Sequence, residues 1–178
     1  MAKKSEKNNL FEVFGRFDSA DAINEAAKGL VAEGDNESLK VLAKENGLDE
    51  EMAEYMAAGE IDFLCDDMTA AIGRINIELD NYINSTYKGL ALEVYETMKG
   101  YLGRDVIRLT ITDENYPVKI DTSNNDLAKA IMKSKCSVSA IVSDIVAKVK
   151  KKQSQGGWVP SVTLCAMAMN MYMGGGKD

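Results

Sequence analysis

The chain contains no histidine. That removes the side chain that most often acts as general base near neutral pH, and the commonest zinc ligand. Its three cysteines, Cys65, Cys136 and Cys165, are far apart and form no CxxC pair. The spacing therefore argues against a thiolate metal site, and they read as buried reduced thiols of a cytoplasmic protein. Only 2 prolines occur in 178 residues, which favours helices over a loop-rich or sandwich fold. No apolar run reaches the ~18 to 20 residues that span a bilayer, so no membrane partner is expected. Met1 to Lys7 is charged and has no apolar stretch behind it, unlike a secretory signal.

Other absences concern chemistry. The glycines at 156–157 and 174–176 lack the GxxxxGK[ST] spacing of a phosphate loop. No DxDxDG loop supports calcium, and no serine or cysteine has a basic orienting partner of the triad type. These gaps argue against an enzyme and against a resident cofactor, and they leave binding as the expected mode of action.

What is there is charge, unevenly placed. The net charge is −7. Residues 1–103 carry 10 Lys+Arg and 21 Asp+Glu, a balance of −11, and residues 104–178 carry 11 and 7, a balance of +4. Hydrophobic residues make up 46% of the chain, enough for a core. The reading is a mainly α protein: an acidic helical lobe over 1–103, a connecting hairpin or linker over 104–122, and a basic helical module over 123–178.

The N-terminal lobe divides at recognisable caps and stops. Met1 to Asn8 is a polar leader, and the cluster Leu10, Phe11, Val13, Phe14 and Phe17 predicts a short helix around Gly15. Ser19, Asp35 and Asp49 each open a helix, and Gly34, Gly47 and Gly59 each follow one. The inward residues of the third are Met52, Tyr55 and Met56. The longest helix is expected from Leu64 to Ile83, with Gly73 tolerated inside it by a close helix crossing. It would pair with a helix carrying Tyr87, Leu90, Val94, Met98 and Leu102 as an antiparallel hairpin.

At Arg104 the period changes. Ile107, Leu109 and Ile111 alternate with polar residues, and Val118 to Asp121 can return after the turn Asp113–Pro117. The alternative is a helical extension into a linker. Ser123 caps a short helix with Leu127 and Ile131. Val138, Ile141, Val142, Ile145, Val146 and Val149 form a helical stripe. Gln153 to Gly157 reads as a flexible loop. Val162 to Met173 is apolar nearly all round, as a buried helix or the surface of a homodimer would be.

Two charged constellations are candidate binding sites. From Asp18 to Asp67 there are 15 Asp+Glu against 3 Lys+Arg. Within this run Glu50, Glu51 and Glu54, and Asp62, Asp66 and Asp67, are either a solvated face or a surface that imitates a nucleic-acid backbone toward a basic channel. Asp62 and Asp66, four apart, would share a helix face. The second constellation is Lys148, Lys150, Lys151 and Lys152. It is either a phosphate-contact patch or a set of cations complementing a helix C-terminus. Trp158, the single tryptophan, reads as a core anchor more readily than a stacking group.

The stretch Leu10-Phe11-Glu12-Val13-Phe14-Gly15-Arg16-Phe17-Asp18-Ser19 resembles the opening of proteins carried on mobile elements and prophages of gut Firmicutes. So do Ala32-Glu33-Gly34-Asp35, Glu45-Asn46-Gly47 and Ala70-Ala71-Ile72-Gly73-Arg74-Ile75. Relatives of that kind are similar to anti-CRISPR proteins that inhibit type II RNA-guided nucleases. The segment from Asp126 to Met173 more loosely resembles the PcfK-like module of conjugative elements. Such modules often carry His and Tyr in the last helix, where this chain has Met169, Asn170, Met171 and Tyr172. The resemblance implies a protein of the bacterial host cytoplasm that binds and inhibits a type II CRISPR effector nuclease, with double-stranded DNA as a second candidate partner. The alternative is a DNA-binding accessory protein of a conjugative plasmid or phage, acting through the 148–152 lysines.

Overall fold

The computed structural model describes residues 13–153 and 158–174, the side chains of 151–153 excepted. The leader, Leu10, Phe11 and the loop at 154–157 lie outside the described residues. Within them the chain is mostly helical, with eight helices and one two-stranded hairpin. The helices are α1 (Ala20–Glu33), α2 (Asn36–Glu45), α3 (Glu50–Ala57), α4 (Asp67–Asn81), α5 (Lys88–Leu102), α6 (Asn124–Lys133), α7 (Val138–Gln153) and α8 (Ser161–Tyr172). The strands β1 (Val106–Ile111) and β2 (Val118–Ser123) fall between α5 and α6.

The expected caps are in place. Ser19, Asp35, Asp49 and Ser123 accept backbone N–H bonds at the starts of α1, α2, α3 and α6. The hairpin is antiparallel and pairs Leu109 with Ile120 and Ile111 with Val118. Ile107, Val118 and Ile120 are buried, while Arg108 and Asp121 pair at 3.3 Å on the exposed face. The alternation of period two thus becomes a half-buried ribbon. α8 is buried along most of its length, and its Tyr172 hydroxyl meets the Tyr95 hydroxyl of α5 at 3.1 Å. Burial raises both phenol pKa values well above their ordinary range.

Three details depart from the sequence expectations. Residues 13–17 are not helical: Gly15 has φ +73°, and the Val13 and Phe14 amides both donate to the Glu45 carboxylate, at 3.0 and 3.1 Å. Phe14 and Phe17 still pack on the core, but Val13 is 66% exposed. Tyr55 is 44% exposed; in the short helix α3 it is Ala53 and Met56 that face inward. Nor is α4 the longest helix, since it has 15 residues against 16 for α7. Its expected first turn is unwound by Asn24 of α1. The buried Asn24 Oδ1 accepts from the Leu64 and Cys65 amides (2.8 and 3.3 Å), and Nδ2 donates to the Cys65 carbonyl (2.8 Å). The backbone at 64–65 is thereby held out of the helix until Asp66 caps it.

A close backbone approach at Gly73 is present, but it is to the turn between α2 and α3 rather than to another helix, and its partner is Gly47. A Cβ at Gly73 would lie 2.4 Å from the Asn46 carbonyl oxygen, and one at Gly47 would lie 2.3 Å from the Gly73 oxygen. One position after Gly73 stands Arg74, a charged residue only 4% exposed. Its guanidinium pairs with Glu78 at 3.0 Å and donates to the carbonyls of Ile131, Met132, Ser134 and Cys136. Glu78 in turn accepts from the Val138 amide at 2.6 Å. These bonds satisfy the last carbonyls of α6 and the first amide of α7, groups a helix cannot satisfy internally. A buried charge is tolerated because it is both paired and hydrogen-bonded. One core cluster runs from Ala20 to Tyr172.

Candidate functional site

The acidic residues divide by what their neighbours do. Glu50 and Glu51 occupy the first turn of α3, where negative charge complements the helix dipole. Both are exposed, as is Asp62 in the loop between α3 and α4. None of the three forms an ion pair among the described residues. Glu54 is engaged by Lys40 of α2 at 2.8 Å, and Asp67 by Lys129 of α6 at 3.5 Å. Glu54 raises the Lys40 pKa through its hydrogen bond and its charge. Asp66 is the N-cap of α4, accepting from the Thr69 amide at 2.7 Å; that bond lowers its pKa. Asp62 and Asp66 do not share a helix face, because the Asn24 clamp keeps the intervening backbone non-helical. A solvated cap and two ion pairs therefore account for Asp66, Glu54 and Asp67. Glu50, Glu51 and Asp62 remain as outward charges, the first two beside the Asp49 cap of α3 and the third two residues before the Asn24-bound segment Leu64–Cys65.

Lys148 and Lys150 do not share a face of α7. Lys148 and Lys150 are two residues apart on α7, a rotation of about 200° on a 3.6-residue helix. Lys148 pairs with Asp144 at 2.7 Å, whereas the Lys150 ammonium lies 5.6 Å from the centroid of the Tyr87 ring. The side chains of Lys151 and Lys152 lie outside the described residues.

Trp158 is not a core anchor: it is 75% exposed. It borders a cavity of about 320 Å3 where α5, α7 and the start of α8 meet. Tyr87 and Lys150 line the same cavity, as does Glu93, whose carboxylate accepts from the Ser161 hydroxyl. Sequence reading missed this grouping because its members come from three segments. It also missed Asn24, which sets the course of the Asp62–Asp66 segment. The available signal was a polar residue at an inward position of α1, beside Ile23 and Ala27. Among the described residues no group of three or more His, Cys, Asp or Glu side chains comes together as a metal site would require. No helix among them is long and apolar enough to cross a membrane.

Comparison with family models, curated proteins and solved structures gives no match to this chain.

Proposed function

We propose that this protein inhibits a type II RNA-guided DNA nuclease by binding it, without catalysis. The observation that carries the reading is the set of outward carboxylates Glu50, Glu51 and Asp62, unpaired among the described residues and mounted on capped, cross-braced backbone. Nucleases of this class hold nucleic acid in basic channels. A rigid acidic surface entering such a channel gains steering and electrostatic complementarity without paying to order its charges first. The identity of the nuclease rests on the sequence resemblance, while the charged surface supports the mode of binding.

The test is cleavage of duplex DNA by a guide-loaded type II nuclease, titrated with the protein added before or after DNA. Inhibition near one equivalent is expected, and the triple variant Glu50→Lys, Glu51→Lys, Asp62→Lys should lose it while still unfolding cooperatively, somewhat below the parent temperature because two cations at the start of α3 oppose its dipole. Full cleavage at excess protein across several such nucleases would refute the reading. The alternative, a DNA-binding accessory protein, draws support from the exposure of Lys148 and Lys150. It is weakened by the Lys148–Asp144 pair. Changing Lys150, Lys151 and Lys152 to Glu separates the two: an inhibitor acting through its acidic face keeps its activity.

A further inference from the structure

From the cavity beside Trp158 we infer that this chain has a binding site for one nucleotide, in which the base stacks on the indole, Glu93 reads its hydrogen-bond donors and Lys150 meets its phosphate. The site is separate from the acidic face and does not depend on the nuclease reading.

Four features of the cavity fit this chemistry together. Its volume of about 320 Å3 lies at the lower end of the ~300–1,000 Å3 range of small-molecule sites. Its floor is apolar, made by Leu90, Val146 and Leu164, while Trp158 and Tyr87 supply flat aromatic surface. The indole is 75% exposed at the rim, so its face is accessible, and nucleobases stack on such rings whatever their sequence. The two charges at the cavity are of opposite sign. Glu93 is on α5 and its carboxylate is oriented by the Ser161 hydroxyl; Lys150 is on α7 beside the Tyr87 ring.

A ligand complementary to all four is planar and apolar in the middle, carries N–H donors on one edge and bears an anion. A nucleotide has that form. A carboxylate can accept only donors, so it favours guanine, with adjacent ring N–H and amino groups, or cytosine with its amino group, over thymine. The phosphate takes the place beside Lys150, whose flexible stem now carries its ammonium over the Tyr87 ring. Two sources present the same chemistry: a free mononucleotide and a single-stranded nucleic acid.

The single tryptophan makes the test direct, because fluorescence excited beyond the absorption of the tyrosines reports Trp158 alone. The full-length protein is titrated with guanosine monophosphate, thymidine monophosphate and short single-stranded oligonucleotides, with anisotropy of a labelled oligonucleotide as a second readout. Quenching is expected, stronger for guanine than for thymine. Trp158→Ala should weaken oligonucleotide binding about 5- to 150-fold, the range for loss of one stacked base. Trp158→Phe should recover most of it. Glu93→Gln should narrow the guanine preference. Lys150→Gln should flatten the salt dependence by about 0.7 in log–log slope, the share of one single-strand phosphate. Tighter binding of the oligonucleotide than of the mononucleotide identifies a strand as the occupant, and equal binding identifies the free nucleotide. No quenching by any of these ligands, or unchanged anisotropy affinity in Trp158→Ala, overturns the proposal.

Discussion

Gly73→Ala offers the sharpest quantitative test of the packing. In an exposed helix the change stabilises by about 1 kcal/mol, because alanine loses less backbone freedom. At Gly73 the new methyl would sit 2.4 Å from the Asn46 carbonyl oxygen and 3.0 Å from that of Gly47. An ordinary carbon–oxygen contact is about 3.3 Å, so the first distance falls short by about 0.9 Å. Both obstacles are backbone, which cannot swing aside as a side chain does. Overpacking costs about 1–3 kcal/mol; taking the upper end and subtracting the propensity gain leaves a net loss of about 2 kcal/mol. Gly29 on α1 and Gly100 on α5 have open space where a Cβ would go and serve as controls, with gains expected from the same substitution. Urea unfolding followed by far-ultraviolet circular dichroism measures all three. A loss of 2 kcal/mol lowers the midpoint by about 1 M at a slope of ~2 kcal/mol/M. If Gly73→Ala rises in stability together with Gly29→Ala, α4 and the Asn46–Gly47 turn do not cross at backbone contact and the reasoning fails.

Arg74→Ala should cost about 3–5 kcal/mol, because Glu78 and the carbonyls ending α6 would stay buried without their cation; chemical denaturation measures it. Burial holds the Cys65 and Cys165 thiols at pKa values of about 12, so alkylation at mildly alkaline pH followed by mass spectrometry should modify the half-buried Cys136 first and the other two only after unfolding. The bonds from Thr69 and Ser38 hold the Asp66 and Asp35 carboxyls below the usual carboxylate range. A carboxyl whose pKa is depressed by folding stabilises the fold above its unfolded value of about 3.9, and that contribution is lost as pH falls through the folded value. Asp66→Asn keeps the cap without titrating, so it should leave neutral stability near the parent value and flatten the acid limb of a pH–stability curve.

The parts of the fold that could be read from the chain were those set by neighbours in sequence. Ser19, Asp35, Asp49 and Ser123 act within three residues of themselves, and their helices begin as read. The alternation from Ile107 to Ile111 and the return at Val118 likewise carried the hairpin. What escaped depends on distant partners. The Leu10–Phe17 cluster has helical density, but its amides at 13 and 14 are claimed by Glu45, more than thirty residues on. Asn24 unwinds residues forty positions away. Arg74 with Glu78 on a helix face otherwise bearing Ala71 and Ile75 was the one visible hint of a buried pair, because charge at a core position asks for a partner. Of the acidic site, composition announced the charge, while cation partners elsewhere in the chain decided which carboxylates stay free. Trp158 was misjudged because a lone indole is apolar enough for a core, and only the ends of α5 and α7 show that it stands at a rim.

The Arg74 clamp also bears on synthesis. Its carbonyl partners lie 57 to 62 residues further along the chain. At translation rates of ~5–20 residues per second, that gap lasts roughly 3 to 12 s. During that interval the side of α4 that later takes up α6 is uncovered on a nascent chain whose guanidinium is still hydrated. A ribosome stalling between α4 and α6 would hold the chain in this exposed form. The codons between residues 82 and 130 are therefore where slowing translation should do most harm to the yield of folded protein.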